Sequence, residues 1–235
     1  MPLPVRLNKY LADQKLASRR EADVLIAAGK VLVNGEKAVL GQKVTADDKV
    51  TLLGKPKKYQ YLAYYKGRGI ITHSPGEGET DIVTKISADY GLTGLHPVGR
   101  LDKDSEGLII LSNDGRITGP LLEPDTDHEK EYQVVVDKNL TSIFVNKMAA
   151  GVNIEGYQTK PTTVIRSKRN DKSFNIILTE GKKHQIRRMC AALGYQVQSL
   201  KRVRVMNIKI LNLKPNQYRK IIGEEKMEFL RLLGL

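Results

Sequence analysis

The amino-acid sequence predicts an α+β protein in which a small N-terminal unit of helices and a hairpin precedes a larger domain of mixed helices and strands. Helix-capping and hairpin signals lie close together in residues 5–53, and strand-like runs alternate with helical patterns after Tyr59. The Gly54-Lys55-Pro56-Lys57-Lys58 stretch between them discourages regular structure. A chain of 235 residues is long enough for two modest domains. We therefore expect domains in residues 1–58 and 59–235.

The net charge predicts a polyanionic partner. Lysine and arginine number 39 against 26 for aspartate and glutamate, so the formal net charge is +13. Such an excess is typical of proteins that bind nucleic acid. The alternative is a charged surface that only keeps the protein soluble, and it is disfavoured because the basic residues cluster along the chain.

The cysteine and histidine content limits the possible chemistry. The single cysteine, Cys190, excludes an intramolecular disulfide and favours a reducing cytoplasm. It lies in a helical pattern, where a buried small hydrophobe is expected rather than a nucleophile. No metal-ligand spacing relates it to the four histidines, which are His73, His96, His128 and His184. We therefore expect no metal site. No secretory signal precedes Arg6 and no apolar run reaches transmembrane length, so we expect no membrane partner either.

Local signals define the N-terminal unit. Apolar residues between positions 7 and 11 predict a short first helix. Ser18-Arg19-Arg20-Glu21 is a capping box that begins a second helix, and Gly29 ends it. Val31-Leu32-Val33 then precedes Asn34-Gly35, the strongest short signal of a hairpin.

Basic side chains decorate this unit, at Arg6, Lys9, Arg19, Arg20, Lys30 and Lys37. The unit resembles the S4-like RNA-binding domain through Arg6-Leu7-x-Lys9, Ser18-Arg19-Arg20-Glu21-Ala22 and Val31-x-Val33-Asn34-Gly35. The resemblance implies that the paired helices present Arg and Lys to structured RNA, and it implies nothing about a reaction. Scattered, solvated lysines are the alternative.

The larger domain is predicted to mix strands and helices. Strands are expected at residues 61–65, 70–72, 108–112, 132–136, 162–166, 174–179 and 208–213. Helices are expected at residues 82–86, 117–122, 141–150, 185–193 and 224–233, the second of them bounded by Pro124.

Residues 98–112 place a polar, acidic turn before an apolar run, and the chain is organised around them. Gly99 and Gly107 bracket the turn, which predicts a positive φ or a close neighbour. Asp102-x-Asp104-x-Glu106-Gly107 resembles the start of a calcium loop, but Asn113 stands where the bidentate Glu is needed. A glycosidase carboxylate pair is disfavoured because nothing else in the chain is built to grip a sugar polymer. On shape alone, an ordinary solvated loop is favoured.

Residues 180–204 predict a nucleic-acid groove. Their only acidic residue is Glu180, against Lys182, Lys183, Arg187, Arg188, Lys201, Arg202 and Arg204. Basic loops and strands interrupted by an aromatic residue, here Tyr195, suit such a groove. A solvated cationic face is the alternative.

Three segments together carry a resemblance that spans essentially the whole chain: Gly99-Arg100-Leu101-Asp102-x-Asp104-Ser105-x-Gly107-Leu108, Glu129-Lys130-Glu131-Tyr132 and Gln185-Ile186-Arg187-Arg188-Met189. In this order, behind an S4-like unit, they resemble the pseudouridine synthases of the RsuA/RluB/RluE/RluF family. Residues 127–132, 187–195 and 202–207 resemble most the RluF branch, which acts on large-subunit ribosomal RNA. The resemblance implies a mixed α/β catalytic domain with a long antiparallel sheet.

The resemblance also implies roles for individual residues. Asp102 is expected to be the catalytic aspartate, Tyr132 the active-site tyrosine and Arg187 the partner of the aspartate. The residues expected to contact RNA are Arg100, which would help to hold the extruded nucleotide, Lys182, Lys183 and Arg188, together with Arg6, Lys9, Arg19 and Arg20. Family members commonly have Asn-Arg where Lys183-His184 stand in this chain.

The implied reaction breaks the N-glycosidic bond of a uridine, turns the uracil and rejoins it through carbon five, which needs no cofactor. The carboxylate can attack the anomeric carbon or remove a ribose proton, and the sequence does not choose between them. A non-catalytic ribosome-assembly factor and an RNA glycosylase are the alternatives from other classes. We expect a cytoplasmic monomer that modifies a 23S ribosomal RNA stem-loop, with 16S ribosomal RNA or a tRNA anticodon arm as alternative substrates.

Overall fold

The N-terminal unit folds as two helices with short strands. A computed structural model describes residues 4–54, 57–123 and 126–235, so that Lys55 and Pro56 of the predicted linker, and Pro124, lie outside the described residues. The elements are β1 (Val5–Arg6), α1 (Leu7–Asp13), α2 (Arg19–Ala27), β2 (Val31–Val33), β3 (Glu36–Lys37), β4 (Lys43–Val44) and β5 (Val50–Leu52). Leu7, Leu11 and Ile26 belong to a core that this unit builds from its own residues. The predicted helix-helix-hairpin arrangement is confirmed.

The predicted capping box at Ser18 is formed in part, and the predicted turn at Asn34-Gly35 is formed in full. The amide of Glu21 donates to Ser18 Oγ at 3.3 Å, so Ser18 caps α2. The Glu21 carboxylate leaves the capping box incomplete, because it accepts from Lys57 Nζ at 2.9 Å. Asn34 and Gly35 adopt φ angles of 54° and 90°, which the two-residue turn between β2 and β3 requires.

The larger domain alternates strands with helices. In chain order its elements are β6 (Tyr61–Lys66), α3 (Ile82–Tyr90), β7 (His96–Val98), β8 (Glu106–Ser112), a 3₁₀ turn (Gly115–Ile117), α4 (Thr118–Leu122), β9 (Lys130–Val136), α5 (Ser142–Ala150), β10 (Asn153–Ile154), β11 (Tyr157–Gln158), β12 (Thr163–Arg166), β13 (Ser173–Leu178), α6 (Gln185–Ala192), β14 (Val197–Val205), β15 (Ile208–Lys209), β16 (Tyr218–Lys220) and α7 (Gly223–Leu232). None of the described helices is long and apolar enough to span a bilayer.

One long sheet organises the larger domain. Among the described residues its strands follow the order β12-β13-β9-β14-β8-β6-β16, with β7 paired to β8 and β15 to β14. The pairs are antiparallel except for β8 and β14, which run parallel and place Gly107 opposite Arg202. Arg202 in turn pairs with Tyr132 of β9. The turn before β8 and the side chain of Tyr132 therefore lie in one region of the sheet.

The two faces of the sheet carry separate cores. Alternate residues of β6 point to opposite faces, so that Tyr61, Ala63 and Tyr65 pack with Phe229 of α7, whereas Tyr64 packs with α3 and the opposite face of β8. A further core joins β9 and β13 to α5 and α6. Tyr132 packs against this last core and against the α3 core, which places it where the two meet.

Two predicted strands are shorter than expected. Residues 70–72 form only an isolated bridge, between Ile71 and Asp81, because Thr72 is held by the backbone of Leu101 instead. The predicted strand at residues 208–213 ends at Lys209, before a turn in which Leu211 adopts a φ of 50°. In both places a local apolar run lacks a neighbouring strand to continue the pairing.

The N-terminal unit contacts the larger domain directly. Lys15 Nζ donates to the carbonyl oxygen of Gly234 at 2.5 Å, and Arg116 Nη1 donates to that of Lys15 at 3.3 Å. Arg116 is itself bound to the buried carboxylate of Asp114, at 2.8 Å. This contact connects the turn after α1 to the 3₁₀ turn that follows β8. The turn that carries Asp102 lies at the other end of β8.

Candidate active site

The turn that carries Asp102 is closed by its own backbone and bracketed by two glycines. The amide of Ser105 donates to the carbonyl oxygen of Asp102 at 3.1 Å. Gly99 and Gly107 have φ angles of 84° and 111°, which confirms the predicted left-handed backbone. A Cβ atom at Gly107 would lie 2.2 Å from the carbonyl oxygen of Arg202, so a close neighbour is present as well. A side chain at position 107 would therefore displace β14 from β8.

Lys66, at the end of β6, binds the turn from the interior. Its side chain is fully buried, and Nζ donates to the carbonyl oxygens of Gly67 at 3.0 Å, Ser105 at 2.8 Å and Lys103 at 3.4 Å. Burial lowers the pKa of Lys66 to about 8, although Asp102, Asp104 and Glu106 oppose the shift. The sequence analysis missed this residue. The feature that could have indicated it is a lysine at the end of an otherwise apolar strand.

Arg202 braces the same turn, which corrects its predicted exposure in a nucleic-acid groove. It is only 5% exposed, and its guanidinium donates to the carbonyl oxygens of Leu108 at 2.7 Å and Arg100 at 3.3 Å. Tyr195, also predicted to line the groove, is buried against Phe144 with ring centroids 4.3 Å apart. The prediction of a groove was wrong for both residues, because β14 and the end of α6 turn them into the interior.

Asp102 presents its carboxylate at the surface, with 40% of the side chain exposed. Among the described residues, the side chain within ion-pair distance of this carboxylate is that of His184, whose Nε2 lies 3.4 Å from Asp102 Oδ1. Arg187, the predicted partner of the aspartate, forms no ion pair with it in the part of the chain that the structure describes. The aspartate is thus held by its backbone while its carboxylate stays accessible.

Arg187 binds the turn through backbone and hydroxyl groups. From the first turn of α6, Nη2 lies 3.4 Å from the carbonyl oxygen of Asp104 and 3.5 Å from Ser105 Oγ. Nη1 donates to the carbonyl oxygen of Val197 at 3.3 Å, at the start of β14. Arg187 therefore joins α6 and β14 to the turn that carries the aspartate, through Asp104 and Ser105 rather than through the Asp102 carboxylate.

Tyr132 lies on β9, two strands away from β8, and is partly buried. Its neighbours on that strand are engaged in ion pairs and hydrogen bonds: Glu131 accepts from Arg204 at 3.0 Å and from Asn175 at 2.9 Å. The structure therefore brings Asp102, Tyr132 and Arg187 into one region through the pairing of β8, β14 and β9 and the packing of α6.

The predicted RNA contacts near the site differ in their surroundings. Arg100 and Lys183 are exposed, and the Lys182 ammonium lies 4.5 Å from the centre of the Tyr157 ring. Arg188 is less free, since its guanidinium pairs with Glu155 at 2.6 Å. Arg100, Lys182 and Lys183 are therefore accessible basic groups, whereas Arg188 is turned toward β10.

The predicted RNA contacts of the N-terminal unit lie on β1, α1 and α2. Arg6, Arg19 and Arg20 are exposed, and Lys9 lies 3.9 Å from Asp13 in the same helix. A weak ion pair of this kind between exposed groups contributes little and is easily exchanged for a phosphate.

The structure also describes the surroundings of Cys190 and of the potential metal ligands. Cys190 is buried, and burial raises the pKa of its thiol to about 12, so a small buried hydrophobe is the correct description. Among residues 4–54, 57–123 and 126–235, no group of three or more His, Cys, Asp or Glu side chains could hold a metal ion.

Comparisons with known proteins identify the family of the chain. Residues 60–192 match the family described as RNA pseudouridylate synthase, and residues 5–50 match the S4 domain. The chain belongs to the RNA pseudouridylate synthase family. It is an RNA pseudouridine synthase with an N-terminal S4 domain, and RNA is its partner.

The similarity to individual members of the family extends along nearly the whole chain. The chain is 38% identical to the dual-specificity RNA pseudouridine synthases RluF of Salmonella typhi and of Escherichia coli K12, covering 97% of this chain and 79% of each relative. An uncharacterized RNA pseudouridine synthase of Bacillus subtilis, YtzG, is 33% identical over 94% of this chain and 96% of that protein. A crystal structure of a pseudouridylate synthase superposes with a TM-score of 0.69 at 28% identity, covering 97% of this chain and 99% of that one. The predicted family and fold class are confirmed.

Proposed function

We propose that this synthase isomerises a uridine of 23S ribosomal RNA, presented in a stem-loop, and that Asp102 is its catalytic carboxylate. The observation that supports the assignment is the combination of an accessible carboxylate and a fixed backbone. Lys66, Arg187 and Arg202 all donate to the turn around Asp102, yet 40% of the Asp102 side chain remains exposed. Catalysis favours a reactive group that is held in place before the substrate arrives.

In the proposed reaction, Asp102 either bonds to the anomeric carbon of the ribose or removes a ribose proton, and the bond from that carbon to N1 of uracil breaks. The detached uracil turns and its carbon five bonds to the anomeric carbon. In the nucleophilic route the bond from Asp102 to the anomeric carbon breaks at the same time, and in the other route the abstracted proton returns to the ribose. Carbon five then loses its proton while N1 gains one. The RNA is therefore unchanged in mass. Tyr132 offers an aromatic surface to the loose base.

RNA binding is proposed to involve the exposed basic groups on both domains. A base inside a stem is out of reach, so the enzyme must extrude one nucleotide, and Arg100 lies beside Asp102 in sequence to hold it. Lys182, Lys183 and Arg188, with Arg6, Lys9, Arg19 and Arg20 of the S4 domain, supply positive charge for the phosphates. We propose that the enzyme works as a cytoplasmic monomer without a cofactor.

The choice of 23S ribosomal RNA rests on the similarity to RluF. Because the RluF relatives are described as dual-specificity enzymes, a second class of RNA is also proposed, for which a tRNA anticodon arm is the candidate. Single-stranded loops suit either substrate, because their bases can be splayed out.

The test is to map pseudouridines in 23S, 16S and transfer RNA from cells with and without this protein. Loss of a 23S pseudouridine, restored by the wild-type protein, is the expected result. Modification confined to 16S ribosomal RNA would refute the large-subunit assignment. Release of free uracil from the RNA would instead indicate a glycosylase.

Asp102 is tested with purified protein and the RNA identified by mapping. Asp102→Asn removes the charge but little volume, so pseudouridine formation should fall by about 10⁴-fold or more while RNA affinity stays within about threefold. Asp104→Asn is the matched control, because it removes an exposed carboxylate from the same turn, and its rate should stay within about threefold of wild type. Substantial turnover by Asp102→Asn, or equal losses in both variants, would refute the assignment.

A further inference from the structure

His184 is the residue whose side chain reaches the carboxylate of Asp102. Their closest atoms, Nε2 and Oδ1, lie 3.4 Å apart, which is within ion-pair distance when the imidazole is protonated. His184 precedes α6 and Asp102 precedes β8, so the contact joins two loops that are distant in sequence. It forms across the same surface on which Arg187 approaches the turn.

The backbone at His184 is held in an uncommon conformation. Its φ and ψ are 52° and 29°, in the left-handed region, and although it occupies the N-cap position of α6 its side chain caps no amide. A residue other than glycine is kept in that region only where its surroundings enforce it, and such residues cluster at functional sites. The side chain is thus directed to Asp102 rather than to the helix.

The buried carboxylate of Glu180 holds the chain next to His184. Glu180 accepts hydrogen bonds from the Tyr157 hydroxyl at 2.6 Å, from the Lys160 amide at 3.2 Å and from the side chain of Gln185. Gln185 Oε1 in turn accepts from the Lys182 amide at 3.0 Å. Hydrogen bonds thus hold Lys182, two positions before His184, and Gln185, directly after it.

The exposure of the pair leaves the carboxylate accessible to substrate. The His184 side chain is 48% exposed and that of Asp102 is 40% exposed, and ion pairs in such positions are weak. The contact orients the carboxylate without covering it. An incoming ribose can reach the open part of the carboxylate while the imidazole stays in contact with it.

We propose that His184 is a positioning residue of the reaction, which orients the Asp102 carboxylate toward the nucleotide before RNA binds. The proposal rests on the proposed role of Asp102. It assigns to His184 an effect on the chemical step rather than on RNA affinity, because its partner is the reacting carboxylate and not a phosphate.

The first test compares three variants of the full-length protein in single-turnover assays with saturating RNA. His184→Ala should lower the rate about tenfold with RNA affinity within about twofold, and His184→Gln, whose amide nitrogen reaches a similar position, should recover most of the rate. His184→Gly relaxes the left-handed backbone, so it should lose rate as His184→Ala does while unfolding at the same or a higher temperature. Unchanged rates in His184→Ala, or equal losses in the Ala and Gln variants, would overturn the proposal.

The second test needs no activity. In histidine-labelled protein without RNA, at one fixed pH, the imidazole resonances of His184, assigned by their absence in His184→Gln, should shift in Asp102→Asn and stay in place in Asp104→Asn. Equal shifts in both variants, or none, would overturn the contact. If the contact is found but the wild-type enzyme modifies no ribosomal RNA, the proposed substrate fails and the contact stands.

Discussion

The ammonium group of Lys66 donates a hydrogen bond to the carbonyl oxygen of Ser105 at 2.8 Å, from a position without solvent exposure. Ser105 follows Asp102 by three residues, and its amide closes the turn around the aspartate. A buried cation thus sits below the candidate catalytic turn, and the cation is satisfied by backbone oxygens rather than by a carboxylate. This arrangement makes the geometry of the site depend on the end of β6.

Lys66→Met should loosen the turn without creating a large cavity. We expect the single-turnover rate to fall about 10- to 100-fold, because three backbone carbonyl groups lose a donor and misplacement of a reacting group by about 1 Å is costly. RNA affinity should change little, since the lysine faces the interior. A variant with full turnover would show that the turn holds its shape without this donor.

Lys66 should also give the protein a measurable pH dependence of stability. Burial lowers the pKa of Lys66 from 10.5 to about 8, so between these values the unfolded chain binds more protons than the folded one. The free energy of unfolding of the wild type, relative to Lys66→Met, should therefore rise from pH 8 toward pH 10.5. Urea unfolding of both proteins at pH 7.5 and 9.5 measures the difference, in which the titration of other groups cancels. If the difference in free energy of unfolding between the two proteins were the same at both pH values, the lowered pKa of Lys66 would be contradicted.

Arg187 and Arg188 provide a matched pair of variants on one helix. Arg187→Ala removes the donor to the carbonyl oxygen of Asp104 and should lower the single-turnover rate about 100-fold. Arg188→Ala breaks an ion pair with the exposed Glu155, so its saturated rate should stay within about threefold of wild type. Rates measured with saturating RNA separate the two. If Arg188→Ala lost the chemical step and Arg187→Ala did not, the roles would be reversed.

Gly107→Ala should disrupt the junction of β8 and β14. The added Cβ would lie 2.2 Å from the Arg202 carbonyl oxygen, at a φ of 111°, so the free energy of unfolding should fall by about 3 kcal/mol or more. Gly119→Ala is the control, because nothing lies within 4 Å of its added Cβ and its position in α4 favours alanine over glycine. Thermal unfolding of the two variants is the measurement. If Gly107→Ala were as stable as the wild type, β8 and β14 would be able to accommodate a Cβ atom at this position.

The S4 domain should supply much of the salt-dependent affinity for RNA. Deletion of residues 1–58 should weaken binding far more than it harms the catalytic surface, and the slope of log affinity against log salt should become shallower. The full-length double variant Arg19→Ala, Arg20→Ala keeps the interdomain contact at Lys15 and should lower the slope by about 0.9 for each duplex phosphate that it no longer neutralises. Unchanged affinity and slope in both proteins would exclude the S4 domain as an RNA-binding arm.

Local signals in the sequence were sufficient to predict parts of the fold and the backbone of the turn at the site. The two glycines around Asp102, the cap at Ser18 and the turn at Asn34-Gly35 depend on residues within a few positions of one another. The roles of Lys66 and Arg202 were not predictable in this way. Each depends on a strand partner about forty to one hundred positions away, and at the sequence level a buried lysine or arginine is indistinguishable from one that faces RNA.

Dependence on partners that are distant in sequence also explains why two strand lengths were predicted wrongly and why the contact at His184 was not predicted. A short apolar run such as residues 70–72 becomes a strand only if an edge is free to receive it, and here the Thr72 hydroxyl binds Leu101 instead. The approach of His184 to Asp102 requires the packing of α6 beside the turn, for which no periodic pattern exists in the chain.

The parallel pairing of β8 with β14 has a consequence for the order of events during synthesis. Gly107 and Arg202 meet only after the ribosome has made the residues that separate them, which takes about 5–20 s at ordinary rates of elongation. The S4 domain, whose core is drawn from its own residues, can form well before that moment. A nascent chain therefore gains the capacity to hold RNA before it gains a catalytic centre, and the enzyme cannot modify any transcript until its last long strand has been inserted into the sheet.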